Sequence, residues 1–353
     1  MKNLLKVISI LCVFALLLMA AACSQQPAAD QPAEPDTADE APADEAPADE
    51  APADTGSDLI TVGFAQCKAD ESDWRMANTQ SVQDAFSEEN GFKLILADSN
   101  NDAAKQVADV QGFIDQEVDY IVIAAVNVDG WDTVLQNAKD AGIPVILMDR
   151  TINASEDLYV CWIGGGFYNE GVKATDWIAT RFTDDEEVGI VNLQGQLGAS
   201  AQVGRSQALD DALAEHSNWT LVARQTGEWS TDTAKEIMAS WIQQYGDEID
   251  VVYAENDNMA DGAIQALEEA GMTAGGDDGV AIISFDANRA YLQMTLEGKI
   301  NCNVECNPLL GPKTAELVKL IESGGTPNKK ESIDETAFYY DTITQDIIDA
   351  RPY

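Results

Sequence analysis

Four places in the chain put polar groups where they could act together. The stretch "ADESDWR" packs Asp70, Glu71, Asp73 and Arg75 around Trp74, soon after an apolar run, "LITVGFA". Further on, Asp149 and Arg150 close "PVILMDR", Asn256 and Asp257 close "VVYAEND", and Asp286 closes "VAIISFD". Carboxylates accept hydrogen bonds, a guanidinium donates in a fixed fork, and an indole offers an apolar face. Such a set suits a neutral polyol, which carries hydroxyls at its edge and C–H groups on its faces. Paired carboxylates can also hydrolyse glycosides, and spacing alone does not separate the two.

Other chemistry has little material. The sole histidine, His216, lies in a loop after a helix, so a Ser-His-Asp triad or a His-ligated metal centre is not indicated. "WIGGGF" and "GQLGAS" match neither the dinucleotide fingerprint nor the phosphate-binding loop and read as tight turns. "DSNND", with Asp98, Asn100 and Asp102, echoes the start of a calcium loop. It has Ala103 where that loop needs Gly and Asp109 where it wants Glu, so a helix-capping turn is the better reading. Cys302 and Cys306 sit on one expected strand, too far apart along it to pair, and without a neighbouring His a zinc site is not expected. The expectation is therefore no metal and no cofactor.

The elements that must position these groups form a regular alternation. Apolar runs read as strands are "LITVGFA", "FKLILAD", "YIVIAAV", "PVILMD", "YVCWIG", "EVGIVNL", "TLVARQ", "VVYAEN", "VAIISFD" and "INCNVE". Amphipathic stretches such as "DAAKQVADVQGFIDQE" and "GWDTVLQNAKDAG" lie between them, the latter stopped by Gly142 before Pro144. Near-continuous apolar strands separated by helices predict an α/β fold with parallel sheets covered on both faces. Ten strands in residues 59–353 fit two doubly wound lobes better than one sheet. Ligands of such sheets bind beyond the carboxyl ends of the strands, where the four polar clusters fall. Helix capping explains any single strand-end acid. Arg150 is not a capping residue and should point into whatever crevice the sheets share.

The amino-terminal segments are different. Residues 1–22 carry Lys2 and Lys6, an apolar run from Val7 to Met19, and small residues before Cys23, the pattern of an export signal. The end "AAAC" resembles a bacterial lipobox, which implies that Cys23 becomes the lipid-modified first residue. Residues 23–58 are rich in Pro, Ala, Asp and Glu, with "ADEAP" three times from Ala38 to Pro52, and read as a disordered tether. A coil of that length reaches on the order of 30 Å. Of the net charge of −42, the signal contributes +2 and the tether −11, leaving −33 on residues 59–353. A surface that acidic repels phosphate backbones and anionic lipid, which argues against nucleic-acid binding.

Several ordered motifs carry a likeness. "VGFAQCKADESDWR", "GWDTVLQNAKDAGIPVILMDR", "QGQLGAS", "YAENDNMADGAIQAL" and "SFDA" resemble the pentose- and hexose-binding proteins of bacterial ABC sugar importers, above all the galactofuranose-binding members. The resemblance implies the periplasmic-binding-protein type I fold, two lobes joined by three crossovers. The expected division is residues 59–163 plus about 306–332 for the first lobe and 164–305 plus about 333–353 for the second. It further implies a monomer that closes on a monosaccharide, a galactofuranose-like hexose or a pentose, and hands it to a permease without covalent chemistry. The family's ligand positions fall on Glu71, Ser72, Asp73, Trp74, Arg75, Asp149, Arg150, Arg205, Asn256 and Asp286. A stacking aromatic falls on Trp229 and a hinge polar residue on Glu305. "CNPLLGP" is one residue shorter than its family counterpart, and the Cys pair of similar members is missing from "EEVGIVNL" and "EIDVVY".

Two other roles share these features. One is a sensor lobe that presents a sugar or signalling molecule to a receptor kinase; the other is a carboxylate glycosidase. A DNA-binding repressor of the same core fold does not fit the export signal or the charge. Trp131, Trp162, Trp177, Trp219 and Trp241 occupy helical or strand positions and are expected in the cores.

Overall fold

The computed structural model describes residues 59–353. The expectations for the export signal, for Cys23 and for the acidic segment lie outside the described residues.

The first lobe is laid down by β1 (Ile60–Gln66), α1 (Asp73–Ala85), β2 (Phe92–Asp98), α2 (Ala103–Asp115), β3 (Tyr120–Ile123), α3 (Asp132–Asp140), β4 (Val145–Met148) and β5 (Cys161–Gly164). The strands are parallel in the order β5-β4-β3-β1-β2. Their inner residues are apolar almost without interruption because both faces are covered. Phe64, Phe92 and Ile146 pack with Val82 of α1 on one side. Ile121, Ile123 and Leu147 pack with Phe113 of α2 and Leu135 of α3 on the other.

The second lobe repeats the plan with α4 (Phe167–Arg181), β6 (Val188–Gln194), α5 (Ser200–Glu215), β7 (Trp219–Thr226), α6 (Thr231–Tyr245), β8 (Val251–Ala254), α7 (Asp257–Glu269), β9 (Ala281–Asp286), α8 (Arg289–Leu296) and β10 (Cys302–Glu305). Its parallel order is β10-β9-β8-β6-β7. The chain then returns to the first lobe, where α9 (Gly311–Glu322) packs beside α1 and β11 (Lys330–Ser332) pairs with β5. It ends in the second lobe with β12 (Ala337–Tyr339), antiparallel to β10, and α10 (Gln345–Asp349). The backbone thus crosses between the two sheets three times, after Gly164, after Glu305 and after Ser332.

All ten expected strands are present. In "YIVIAAV" the regular strand ends at Ile123; the Ala124 N–H still donates to the Ala65 carbonyl of β1 at 3.0 Å, and the chain leaves the sheet after it. The pattern missed β11 and β12, each three residues long and only partly buried, which is too short for a period to register. Trp131, Trp162, Trp219 and Trp241 are buried and Trp177 packs partly buried against a core, as expected. Cys67, Cys161, Cys302 and Cys306 are buried free thiols. In both sheets the strand order reverses beside the first strand laid down, β1 or β6, so the loops at the carboxyl ends of the strands open onto the space between the lobes.

Candidate functional site

On the first lobe, Ser72 ends the loop after β1 and caps α1, its hydroxyl accepting the Arg75 N–H at 3.2 Å. That cap places Trp74 and Arg75 in the first helical turn. Trp74 Nε1 donates to the carbonyl oxygen of Cys306, in the second crossover, at 2.6 Å. Arg75 Nη2 donates to Asp149 Oδ2 at 2.6 Å, and its guanidinium carbon lies 4.5 Å from the centre of the Trp74 ring. Asp149 follows β4 at φ +63°, a left-handed conformation that costs a residue with a side chain on the order of 1–3 kcal/mol. Neighbouring bonds over-determine it: its N–H donates to Ile163 at 2.8 Å, and its carbonyl accepts Trp162 Nε1 at 2.9 Å. Beside it, Arg150 Nη2 reaches Glu71 Oε2 at 2.7 Å.

On the second lobe, Arg205 lies on α5 and is almost fully buried. Its Nε and Nη2 donate to Glu170 Oε2 of α4 at 2.8 and 2.7 Å, and Nη2 also lies 3.6 Å from Asp286 Oδ1. Asp286 ends β9 at φ +100°, a second strained strand end. Trp229, at φ +66°, lays its ring against the backbone of Gly195. A Cβ at position 195 would sit 1.9 Å from that ring, so only glycine admits this packing. Asn256 caps α7 by accepting the Met259 N–H at 2.9 Å, while its amide donates to the Trp229 carbonyl at 3.3 Å and fixes the indole. Across the gap, the Arg150 guanidinium carbon stands 5.8 Å from the Trp229 ring centre.

These groups line a narrow chamber of about 30 Å³ between the lobes, drawn in tightly around its centre. Each of the three arginines faces a carboxylate: Arg75 faces Asp149, Arg150 faces Glu71, and Arg205 faces Glu170 and Asp286. Buried arginine and carboxylate charge therefore nearly balance, and the walls offer donors and acceptors without a strong field. Burial pushes the Asp286 carboxyl well above the usual range, against the lowering pull of Arg205. Behind the wall, burial pushes Glu255 up to about 7 although Ser206, Gly195 and Asn192 donate to it. Glu71 Oε1, Arg150 Nε and Trp229 Nε1 are buried and have no hydrogen-bond partner among the described residues.

Ten of the twelve positions expected to touch ligand line this chamber: Glu71, Ser72, Trp74, Arg75, Asp149, Arg150, Arg205, Trp229, Asn256 and Asp286. Two do not. Asp73 faces out of the chamber, because the cap at Ser72 turns successive residues of α1 about 100° apart; its carboxylate instead bonds Asn258 and Tyr291. Glu305 points toward the carboxyl terminus, where Oε1 accepts Arg351 Nη1 at 2.7 Å and Oε2 accepts the Thr336 N–H at 3.1 Å. Sequence reasoning missed Phe167, Ala201 and Cys306, which also line the chamber. None is a charged or amide side chain of the kind that marked the other positions, and only the crossovers bring Phe167 and Cys306 there.

Comparison with known proteins agrees with this arrangement. Residues 62–324 match the family model described as the periplasmic binding protein domain. The chain belongs to the periplasmic binding proteins. This binding protein is 34% identical over 292 residues to the galactofuranose-binding protein YtfQ of Escherichia coli, covering 82% of the present chain and 90% of that one. A Mycobacterium smegmatis protein solved with β-D-fucofuranose superposes with a TM-score of 0.75 at 38% identity, over 80% of this chain and 92% of that one. The binding component of an arabinose ABC transporter from Shewanella sp. ANA-3, solved with L-arabinofuranose, gives 0.77 at 32% identity, over 83% and 95%.

The binding protein is in a closed arrangement. Besides the Asp73 contacts at one side of the cleft, the Thr151 N–H donates to Ser200 Oγ at 2.9 Å and the Val128 N–H to the Gly198 carbonyl at 3.0 Å. The segment that echoed a calcium loop is a capping turn, with Asp102 accepting the Ala104 and Lys105 N–H groups and Asp109 held by Lys105. His216 follows α5, stacks on Trp219 at 4.2 Å and does not line the chamber.

Proposed function

We propose that this chain is a solute-binding lipoprotein that captures one monosaccharide, a furanose-form hexose or pentose, and delivers it to the permease of an ABC importer. The single observation that carries the reading is the make-up of the chamber between the lobes, walled by Trp74 and Trp229 and by paired arginines and carboxylates. The indoles suit the C–H faces of a sugar ring, and the fixed guanidinium and carboxylate groups suit hydroxyls at its edge. Buried atoms such as Glu71 Oε1 and Trp229 Nε1 would find their partners in the ligand. The names of the similar proteins, which speak of galactofuranose, fucofuranose and arabinofuranose, support the furanose class. Glu71, Ser72, Trp74, Arg75, Asp149, Arg150, Arg205, Trp229, Asn256 and Asp286 are the proposed ligand-contacting residues.

In this reading the protein acts as a monomer outside the cytoplasm, anchored through a lipid on Cys23 after loss of residues 1–22, with residues 23–58 as a tether. The first lobe takes in residues 59–163 and about 306–332, and the second residues 164–305 and about 333–353. It performs no covalent chemistry: ligand closes the lobes, and the closed pair is what the permease receives. Titration calorimetry of the full chain against pentoses and hexoses tests this. A binding sugar should add about 2.7 kcal/mol of stability at a hundredfold excess over Kd. Binding of nucleosides without any sugar response would overturn it, and turnover of an aryl glycoside would move the protein to the hydrolases.

A further inference from the structure

The carboxyl of Glu335, in the third crossover, meets all three connections between the lobes. It occupies the space where a Cβ of Gly165 would stand, in the first crossover. Its Oε1 accepts the Asn307 N–H, from the second, at 3.0 Å. It also lies beside Glu170 and Cys306, with ligating atoms of the three residues all within 4.8 Å of one another. Glu170 Oε2 is occupied by Arg205, whereas its Oε1 is buried and has no partner among the described residues.

We propose that Glu335 is a positioning residue for the ligand chamber: its carboxyl proton is donated to Glu170 Oε1, which leaves Glu170 Oε2 to hold Arg205 at the chamber wall. Two buried carboxylates this close repel, and a shared proton removes the repulsion at the cost of one charge. The groups that face Glu335 are Glu170 and Lys173 from α4, Arg205 from α5 and Cys306 from the second crossover. Lys173 Nζ is spent on the Glu335 carbonyl, not its carboxyl. The Cys306 thiol is pushed well up by burial and stays neutral. Burial, then Glu170, pushes the Glu335 carboxyl up to about 9. The same three side chains could be imagined around a divalent cation, but Arg205 already neutralises Glu170 at 2.7 Å and would repel a second positive charge. When the proton leaves, a second negative charge beside Glu170 draws Arg205 away from Asp286, now 3.6 Å off, and the chamber wall shifts.

The proposal rests on the sugar-binding reading only where it predicts ligand affinity, so the experiment reads proton and affinity separately. Carbon NMR of the full chain labelled at Glu carboxyls, after chelator treatment, is compared for wild type and E335Q. A protonated Glu signal that persists above the range in which Glu255 titrates, is lost near about pH 9 and is missing from E335Q, is expected. Affinity for L-arabinose should fall about tenfold in wild type from about pH 7.5 to about pH 10 and stay level in E335Q, whose amide still donates to Glu170. A parallel loss in both proteins overturns the proposal. So does the absence of a protonated Glu assignable to position 335, or a Zn²⁺-dependent change at Glu170 and Glu335. If E335Q does not fold, the titration of the wild-type signal in the presence and absence of Glu170→Gln decides. If L-arabinose binds at no pH, the furanose reading suffers, and the NMR signal alone sustains or overturns the proton.

Discussion

Asp73 and Asn258 join the two lobes by exchanging a pair of hydrogen bonds: the Asp73 N–H donates to Asn258 Oδ1 at 3.2 Å, and Asn258 Nδ2 donates to Asp73 Oδ2 at 3.1 Å. Tyr291 Oη adds a third bond to the same carboxylate at 2.9 Å. These bonds exist only while the cleft is shut, and none of the three residues lines the chamber. Asn258→Ala removes both bonds to Asp73 and should therefore weaken sugar binding about thirtyfold, mainly by faster release, at about 1 kcal/mol per lost bond. Stopped-flow release rates together with thermal unfolding of the unliganded protein check this. An unchanged release rate would mean that the bonds do not hold the closed form.

Trp229 needs the bare backbone of Gly195 to lie flat. Gly195→Ala forces a Cβ into a ring 1.9 Å away, and the indole must move toward the sugar space. Binding should drop by at least about a hundredfold while stability falls by about 1–3 kcal/mol, the usual range for overpacking. Calorimetry and urea unfolding measured on the same preparation separate the two effects. A loss of stability with sugar affinity unchanged would return Trp229 to a purely structural part.

Glu255 carries a pH signature. Burial holds its carboxyl up to about 7 in the folded protein, against 4.5 ordinarily. The folded state thus keeps a proton that the unfolded state has released. Its contribution to stability is whole below about pH 4.5 and is lost as pH rises to about 7, by about 1.4 kcal/mol per unit at most. Glu255→Gln cannot lose that proton, so the stability of the variant relative to wild type should rise across this window and level off above it. Urea titrations at several pH values within and above the window measure the difference, in which the other carboxylates cancel.

Glu305 and Arg351 tie the carboxyl terminus to the second lobe. Arg351 Nη1 meets Glu305 Oε1 at 2.7 Å, and its Nε donates to the Ala287 carbonyl, next to Asp286, at 2.9 Å. Arg351→Ala leaves a mostly buried carboxylate unpaired and should cost about 2–4 kcal/mol of stability. Because Ala287 follows the strained Asp286, sugar affinity should fall as well. Arg351→Lys should restore part of the stability; no recovery at all would indicate that the guanidinium fork, and not the charge, is what the site requires.

Much of the site was legible because parallel strands announce themselves and because ligands of such sheets collect at the carboxyl ends. Trp74, Arg150 and Asp286 could be placed on that ground together with family likeness. Asp73 and Glu305 could not. One residue of helical rotation sends Asp73 to the lobe contact while Trp74 and Arg75 face the chamber, and no spacing rule resolves that step before the cap at Ser72 is known. Glu305 ends a strand as Asp286 does, yet the returning carboxyl terminus supplies Arg351 and claims it.

The sequence by itself determined the alternation of strands and helices, the two-lobed plan and the polar strand ends, since each is a local pattern of burial and capping. Only the tertiary structure decided which polar group meets which. The pairs Arg75 with Asp149, Arg150 with Glu71 and Arg205 with Glu170 join residues 35 to 79 positions apart. The meeting of Glu335 with Gly165, Glu170 and Asn307 depends on three crossovers converging at one point. Such convergence is a property of the folded path, and local periodicity carries no trace of it.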